Sequence, residues 1–151
     1  MSLSEKIKVV KTGLAVLVAG AMIGIGGMAY AKEINDKGWP LPDESQYLKM
    51  GEETQKLSCK YKDKDVIVEF EVESYANLNG QGYKKYSFGD KTLMYAKIEP
   101  GEGHSFKVEV LMDRDGNGSM ETKYDLNKEA DEEEFDNEGM PEWVLDKAEK
   151  S

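Results

Sequence analysis

Cysteine and histidine are almost missing from this chain, and each scarcity closes off a class of explanation. There is one cysteine, Cys59, in 151 residues, so no intrachain disulfide can form. Small exported domains often rely on such bridges; this one must hold by its core, which a domain of over a hundred residues can do. Leu57, Cys59 and Tyr61 alternate like the inward face of a strand, so the thiol reads as a buried small hydrophobe. The single histidine, His104, sits beside a Gly101–Gly103 turn and reads as a solvated turn residue. No nucleophile motif surrounds Ser105 or Cys59. No Cys/His cluster has zinc spacing, and no phosphate-binding glycine motif follows a strand. The residues therefore point away from an enzyme.

Basic charge is also short. The chain carries 20 Lys and Arg against 30 Asp and Glu. Without residues 1–31, which hold three lysines and one glutamate, 17 basic and 29 acidic side chains remain, a net charge of −12. Such a domain is repelled by nucleic-acid phosphates and anionic lipid, and no basic patch offsets this. Cations are its natural partners: metal ions, basic proteins or basic polymers.

What the chain does have begins with an apolar run. Residues 14–28, LAVLVAGAMIGIGGM, carry no charge, follow a lysine-containing start and lead into Ala29-Tyr30-Ala31 before Lys32. This is the pattern of a secretory signal peptide over 1–31 with a small-residue cleavage site. The competing reading is an uncleaved anchor. Leu14 to Ala31 would make a helix of about 27 Å, long enough to span. Gly20 and Gly24 form a small-xxx-small pair, but the five glycines of the region weaken a helix. Either reading puts the acidic part in the periplasm, outside the cell or on its surface. The partner expected there is an unidentified envelope or extracellular one.

After residue 31 the period of the sequence sets the elements. Residues 32–53 read as an extended arm with Pro40 and Pro42, then a short helix capped by Asp43 and ended near Gly51. Residues 54–127 read as an antiparallel β domain. Val66, Val68, Phe70 and Val72 alternate with a face that turns acidic, the strongest strand in the chain. Further strands are expected over 57–61, 83–88, 91–99, 106–112 and 120–126, with a turn at 62–65 and a loop at 77–82. The fold class is therefore mainly β. It is a small meander of five or six strands closing as a barrel or stacking as a two-layer sandwich, with one or two short helices. Residues 128–151 read as an acidic segment, a solvated tail or a frayed helix, with a short terminal helix after Pro141 that anchors through Trp143.

One local pattern carries chemistry. Asp113, Asp115, Asn117 and Gly118 stand in the order D-x-D-x-N-G. This resembles the first half of an EF-hand-type calcium loop. The resemblance implies side-chain oxygens from Asp113, Asp115 and Asn117, a backbone carbonyl from Ser119, and Glu121 at the ninth position, often through water. It covers nine residues. The twelfth position, which should be a bidentate Glu, is Tyr124, so weak calcium binding on the order of 10⁻⁴–10⁻³ M is the expectation. The flanks read as strands, so the helix–loop–helix fold is not implied. The same residues also suit a plain hairpin turn that needs no ion.

Three functions follow as expectations. The first is an exported, non-enzymatic binding or structural module, steadied by weak calcium at 113–121. The second is a carbohydrate- or cell-wall-binding β domain, for which Tyr75, Tyr83, Tyr86, Phe88 and Tyr95 would offer stacking rings. The third is a small secreted hydrolase using paired carboxylates, which 29 acids make unavoidable by chance.

Overall fold

The computed structural model describes residues 32–103 and 105–150. The expected signal or anchor segment and His104 lie outside the described residues. Among those described, no helix is long and apolar enough to cross a membrane.

Seven strands of the described residues form one antiparallel sheet: β1 (Glu33–Ile34), β2 (Leu48–Tyr61), β3 (Lys64–Ala76), β4 (Gly82–Phe88), β5 (Lys91–Pro100), β6 (Phe106–Met112) and β7 (Thr122–Asp125). Two helices follow, α1 (Glu129–Glu138) and α2 (Glu142–Glu149). The spatial order is β1-β7-β6-β5-β4-β3-β2. Strands β2 to β7 are thus a meander of sequential neighbours, while β1 attaches to the far edge beside β7.

Period two does what it should. Val66, Val68, Phe70 and Val72 are buried, while Glu69 and Glu71 between them are exposed. Val68, Phe70 and Val72 pack with Tyr86, Met94, Ala96, Val108, Val110, Met112 and Tyr124 into one core. The β2–β3 turn is Lys62-Asp63, both at positive φ (52° and 63°), as a primed two-residue hairpin turn requires. Asn77 closes the next loop by accepting the amides of Asn79 (2.9 Å) and Gln81 (3.1 Å).

The sheet stays open; it does not close as a barrel or stack as two sheets. The reason is what covers its faces. On one face the helices dock: Phe135 of α1 and Val144 of α2 are fully buried in the core. The other face carries Tyr75, Tyr83, Tyr95 and Leu111, with Tyr83 and Leu111 only 1% exposed. The connection from β1 to β2 must travel from one sheet edge to the other. Six strand spacings are about 29 Å, and thirteen extended residues reach about 43 Å, so residues 35–47 suffice. The arm crosses this second face, with Trp39 against Lys123 (3.9 Å) and Tyr47 edge-on to Tyr83 (5.0 Å). With both faces covered, nothing drives the edge strands to meet.

Two local expectations need correcting. Asp43 does cap, accepting the Ser45 amide at 3.1 Å, but it opens a single 3₁₀ turn, Glu44–Gln46, rather than a helix reaching Gly51. Gly51 instead lies within β2, next to a register shift between Lys49 and Gly51. The acidic stretch is an ordered helix, because Phe135 docks and Asp131 accepts the Asp125 amide (2.6 Å).

Candidate metal centre in the 113–121 loop

The β6–β7 connection is built around Asp113. The ladder continues one residue past β6, where the Asp113 amide donates to the Leu93 carbonyl (2.9 Å). That places the carboxylate, fully buried, at the root of the loop. One oxygen accepts the amides of Gly116 (2.8 Å) and Asn117 (3.2 Å), and the other accepts Gly118 (2.8 Å). Gly116 (φ +77°) and Gly118 (φ +93°) supply the left-handed turns that fold the chain around it. Across the loop Glu121, 7% exposed, accepts the Arg114 amide on both oxygens (3.1 Å) and the Thr122 hydroxyl (2.7 Å).

Ligand atoms of Asp113, Asp115 and Glu121 all lie within 4.8 Å of one another. Three carboxylates this close, two of them buried, repel each other in a poorly solvating site. Burial pushes both Asp113 and Glu121 above the usual carboxylate range, with the nearby Asp115 adding to it, although amides bonded to each pull the other way. The nearest guanidinium does not neutralise them. Arg114 turns away, giving Nε to the Tyr124 hydroxyl (2.8 Å) and Nη1 to the Gly139 carbonyl (2.8 Å).

Of the five residues expected from sequence, the structure therefore brings Asp113, Asp115 and Glu121 together. Asn117 turns its oxygen to the Ser119 amide (2.8 Å), which serves the loop itself. Tyr124, at the twelfth position, faces the core, and its hydroxyl bonds Glu138. The donor set suits a hard cation. Every remaining lone pair is on oxygen, and an oxygen accepting one amide keeps a second lone pair.

Sequence reasoning missed what buttresses the loop. The Trp143 indole donates to the Asp113 carbonyl (2.9 Å), and its ring covers Gly116 so closely that a Cβ there would sit 3.0 Å from it. Lys91 bonds the Gly116 carbonyl (3.3 Å) beside the same ring. No spacing rule links residues thirty apart; only the docking of α2 shows it.

The five rings expected to offer a stacking surface separate. Tyr86 and Phe88 are buried under the helices, whereas Tyr75, Tyr83 and Tyr95 share the arm-covered face with Tyr47. Cys59 is half-buried against the core. No family model matches this chain, and neither does any curated protein or solved structure.

Proposed function

We propose that this protein is an exported, non-enzymatic binding or structural module whose 113–121 loop takes up calcium weakly and so fixes the C-terminal helices to the sheet. The observation that carries the reading is the convergence of ligand atoms of Asp113, Asp115 and Glu121 within 4.8 Å, while Arg114 beside them turns its guanidinium to Tyr124 and Gly139 instead. A divalent cation would relieve their repulsion. The loop it would stiffen holds α2 through Trp143 and the C-terminal end of α1 through Arg114. The export half of the reading rests on the uncharged run at 14–28 and on Ala29-Tyr30-Ala31.

Thermal unfolding with and without calcium tests the ion. An affinity on the order of 10⁻³ to 10⁻⁴ M predicts roughly 1–2 kcal/mol of stabilisation at about 5 mM calcium, several degrees in Tm. An unchanged midpoint in calcium and in chelator removes the ion from the proposal. The mass of the mature protein from its native envelope tests export, with Lys32 as the expected first residue.

A second reading, a carbohydrate- or cell-wall-binding face, draws on Tyr47, Tyr75 and Tyr95, which are half-buried around Tyr83. Affinity electrophoresis through embedded glycans checks it. Retardation by none of them, or retardation that survives Tyr95→Ala, rules this face out.

A further inference from the structure

The longest strand among the described residues is also an edge. β2 runs fourteen residues, pairs with β3 on one side, and ends the strand order on the other. Its outer row of backbone donors and acceptors therefore faces no strand among the described residues. The opposite edge of the sheet is β1, only two residues long, so it offers no comparable platform. An extended edge of this length is a template for another strand unless its side chains forbid pairing.

Here the side chains select rather than forbid. Two copies meeting edge to edge about a two-fold axis must pair antiparallel, and the axis must stand perpendicular to the sheet. Helix-covered faces then stay on one side, and each residue meets one of the same face, that is, of the same parity. Along Gly51–Leu57 the charges are Glu52, Glu53 and Lys56. Centring the axis on Glu52 or Glu53 sets glutamates against each other, and centring it on Lys56 sets lysines together; both are unfavourable. Centring on Gln55 or Leu57 makes no charge pair within β2, and centring on Gly51 brings Lys49 level with Glu53, but the register shift between Lys49 and Gly51 leaves these two on opposite faces of the sheet, Lys49 beside Tyr75 and Glu53 beside Val72. Centring on Thr54 puts Glu52 of each copy opposite Lys56 of the other, twice, with Glu53 opposite Gln55 and no like charges facing. The present partners of these groups, Lys49 for Glu52 (2.9 Å) and Glu69 for Lys56 (4.0 Å), are exposed pairs that compete weakly.

Sterically the edge is open. Residues 48–54 are exposed throughout. Helix α2 stands by the far end of β2, where Tyr61 bonds Asp146 (3.0 Å). Antiparallel pairing carries the two α2 helices to opposite ends of the joint.

We propose that β2 is a self-pairing edge. Two copies of this chain join there, centred on Thr54, into one continuous sheet. This interface is independent of the calcium loop, so either proposal can fail alone.

Disulfide trapping in the full-length chain tests it. Residues on the axis have Cα atoms about 4.5–5.5 Å apart, inside the range a disulfide spans. In a Cys59→Ser background, Thr54→Cys is expected to form a covalent dimer under mild oxidation. Glu52→Cys and Ser58→Cys, each facing a different residue of the second copy, are not. Adding Glu52→Lys or Lys56→Glu singly to the Thr54→Cys chain should lower trapping roughly tenfold, and adding both should restore it. Far-UV circular dichroism verifies that each variant is folded. Trapping at position 54 no greater than at 52 or 58, or a double reversal as poor as the single ones, overturns the proposal.

Discussion

At Asp113 a single carboxylate does two jobs that oppose each other electrostatically. It gathers three backbone amides, which favours its charge, while burial beside Asp115 and Glu121 disfavours it. Asp113→Asn keeps the shape but replaces one acceptor oxygen with a donor, which then faces an amide. The expected cost is about 1–3 kcal/mol, read from denaturant midpoints, together with loss of any calcium-dependent rise in Tm. Gly116→Ala should be at least as damaging for a different reason. The position has φ +77°, and the new methyl would meet the Trp143 ring at 3.0 Å. Backbone strain of this kind is worth on the order of 1–3 kcal/mol. Restoring space with Trp143→Leu in the same chain should recover only the steric part. If Gly116→Ala unfolds at the parent's midpoint, Trp143 does not clamp this loop.

Among the elements, what the sequence made legible and what it hid divide along physical lines. β3, β6 and β7 show in the alternation of Val66–Val72, Phe106–Met112 and Met120–Leu126, because a half-buried strand must alternate. The first half of β2 hid, because Leu48–Thr54 is an exposed edge with no buried face to impose a period. The docking of α1 hid too, since one apolar knob, Phe135, seats a helix that is otherwise mostly acidic and from its charge reads as a solvated tail or a frayed helix. The carboxylate cluster of the 113–121 loop was legible in its spacing, but its Trp143 and Arg114 supports were not. Arg114 also reaches Glu138, the last residue of α1. Glu138 accepts Lys32 and the Tyr124 hydroxyl and lies 3.8 Å from Arg114. Burial alone would raise its pKa, but these donors together hold it below the usual carboxylate range. A carboxylate with a depressed folded pKa contributes stability above its unfolded value, near 4.3, and loses it as pH falls through the folded value. Glu138→Gln should therefore be less stable than the parent by about 1–3 kcal/mol at neutral pH. The gap should close as pH falls below about 4. Asp113, Glu121 and Asp131, all raised, run the opposite way, but they are common to both proteins and drop out of the difference. A gap that is constant down to acid would mean that Glu138 acts by packing and not by charge.

For the whole molecule the decisive feature is that one sheet is covered twice, by different kinds of chain. The helices cover one face through fully buried side chains such as Phe135 and Val144. The arm covers the other with few anchors. Asn35 donates to Glu121 (2.7 Å), Trp39 donates to Met120 (2.9 Å) while its ring sits against Lys123, and Tyr47 meets Tyr83. No residue of the arm from Asn35 to Tyr47 is fully buried. Opening the arm therefore exposes little apolar surface compared with global unfolding, and it should open as a separate unit of lower stability. Strands β4, β5 and β6 each have a hydrogen-bonded neighbour on both sides and should exchange their amide hydrogens only through global unfolding. Trp39→Ala removes the largest anchor of the arm without touching the helix-covered core. Hydrogen exchange should then show the Asn35 amide and that of residue 39 losing most of their protection. Amides of β5 and β6 should lose no more than the fall in global stability. A uniform loss across the sheet would instead make the arm part of the same cooperative unit as the core, and the second face as essential to folding as the first.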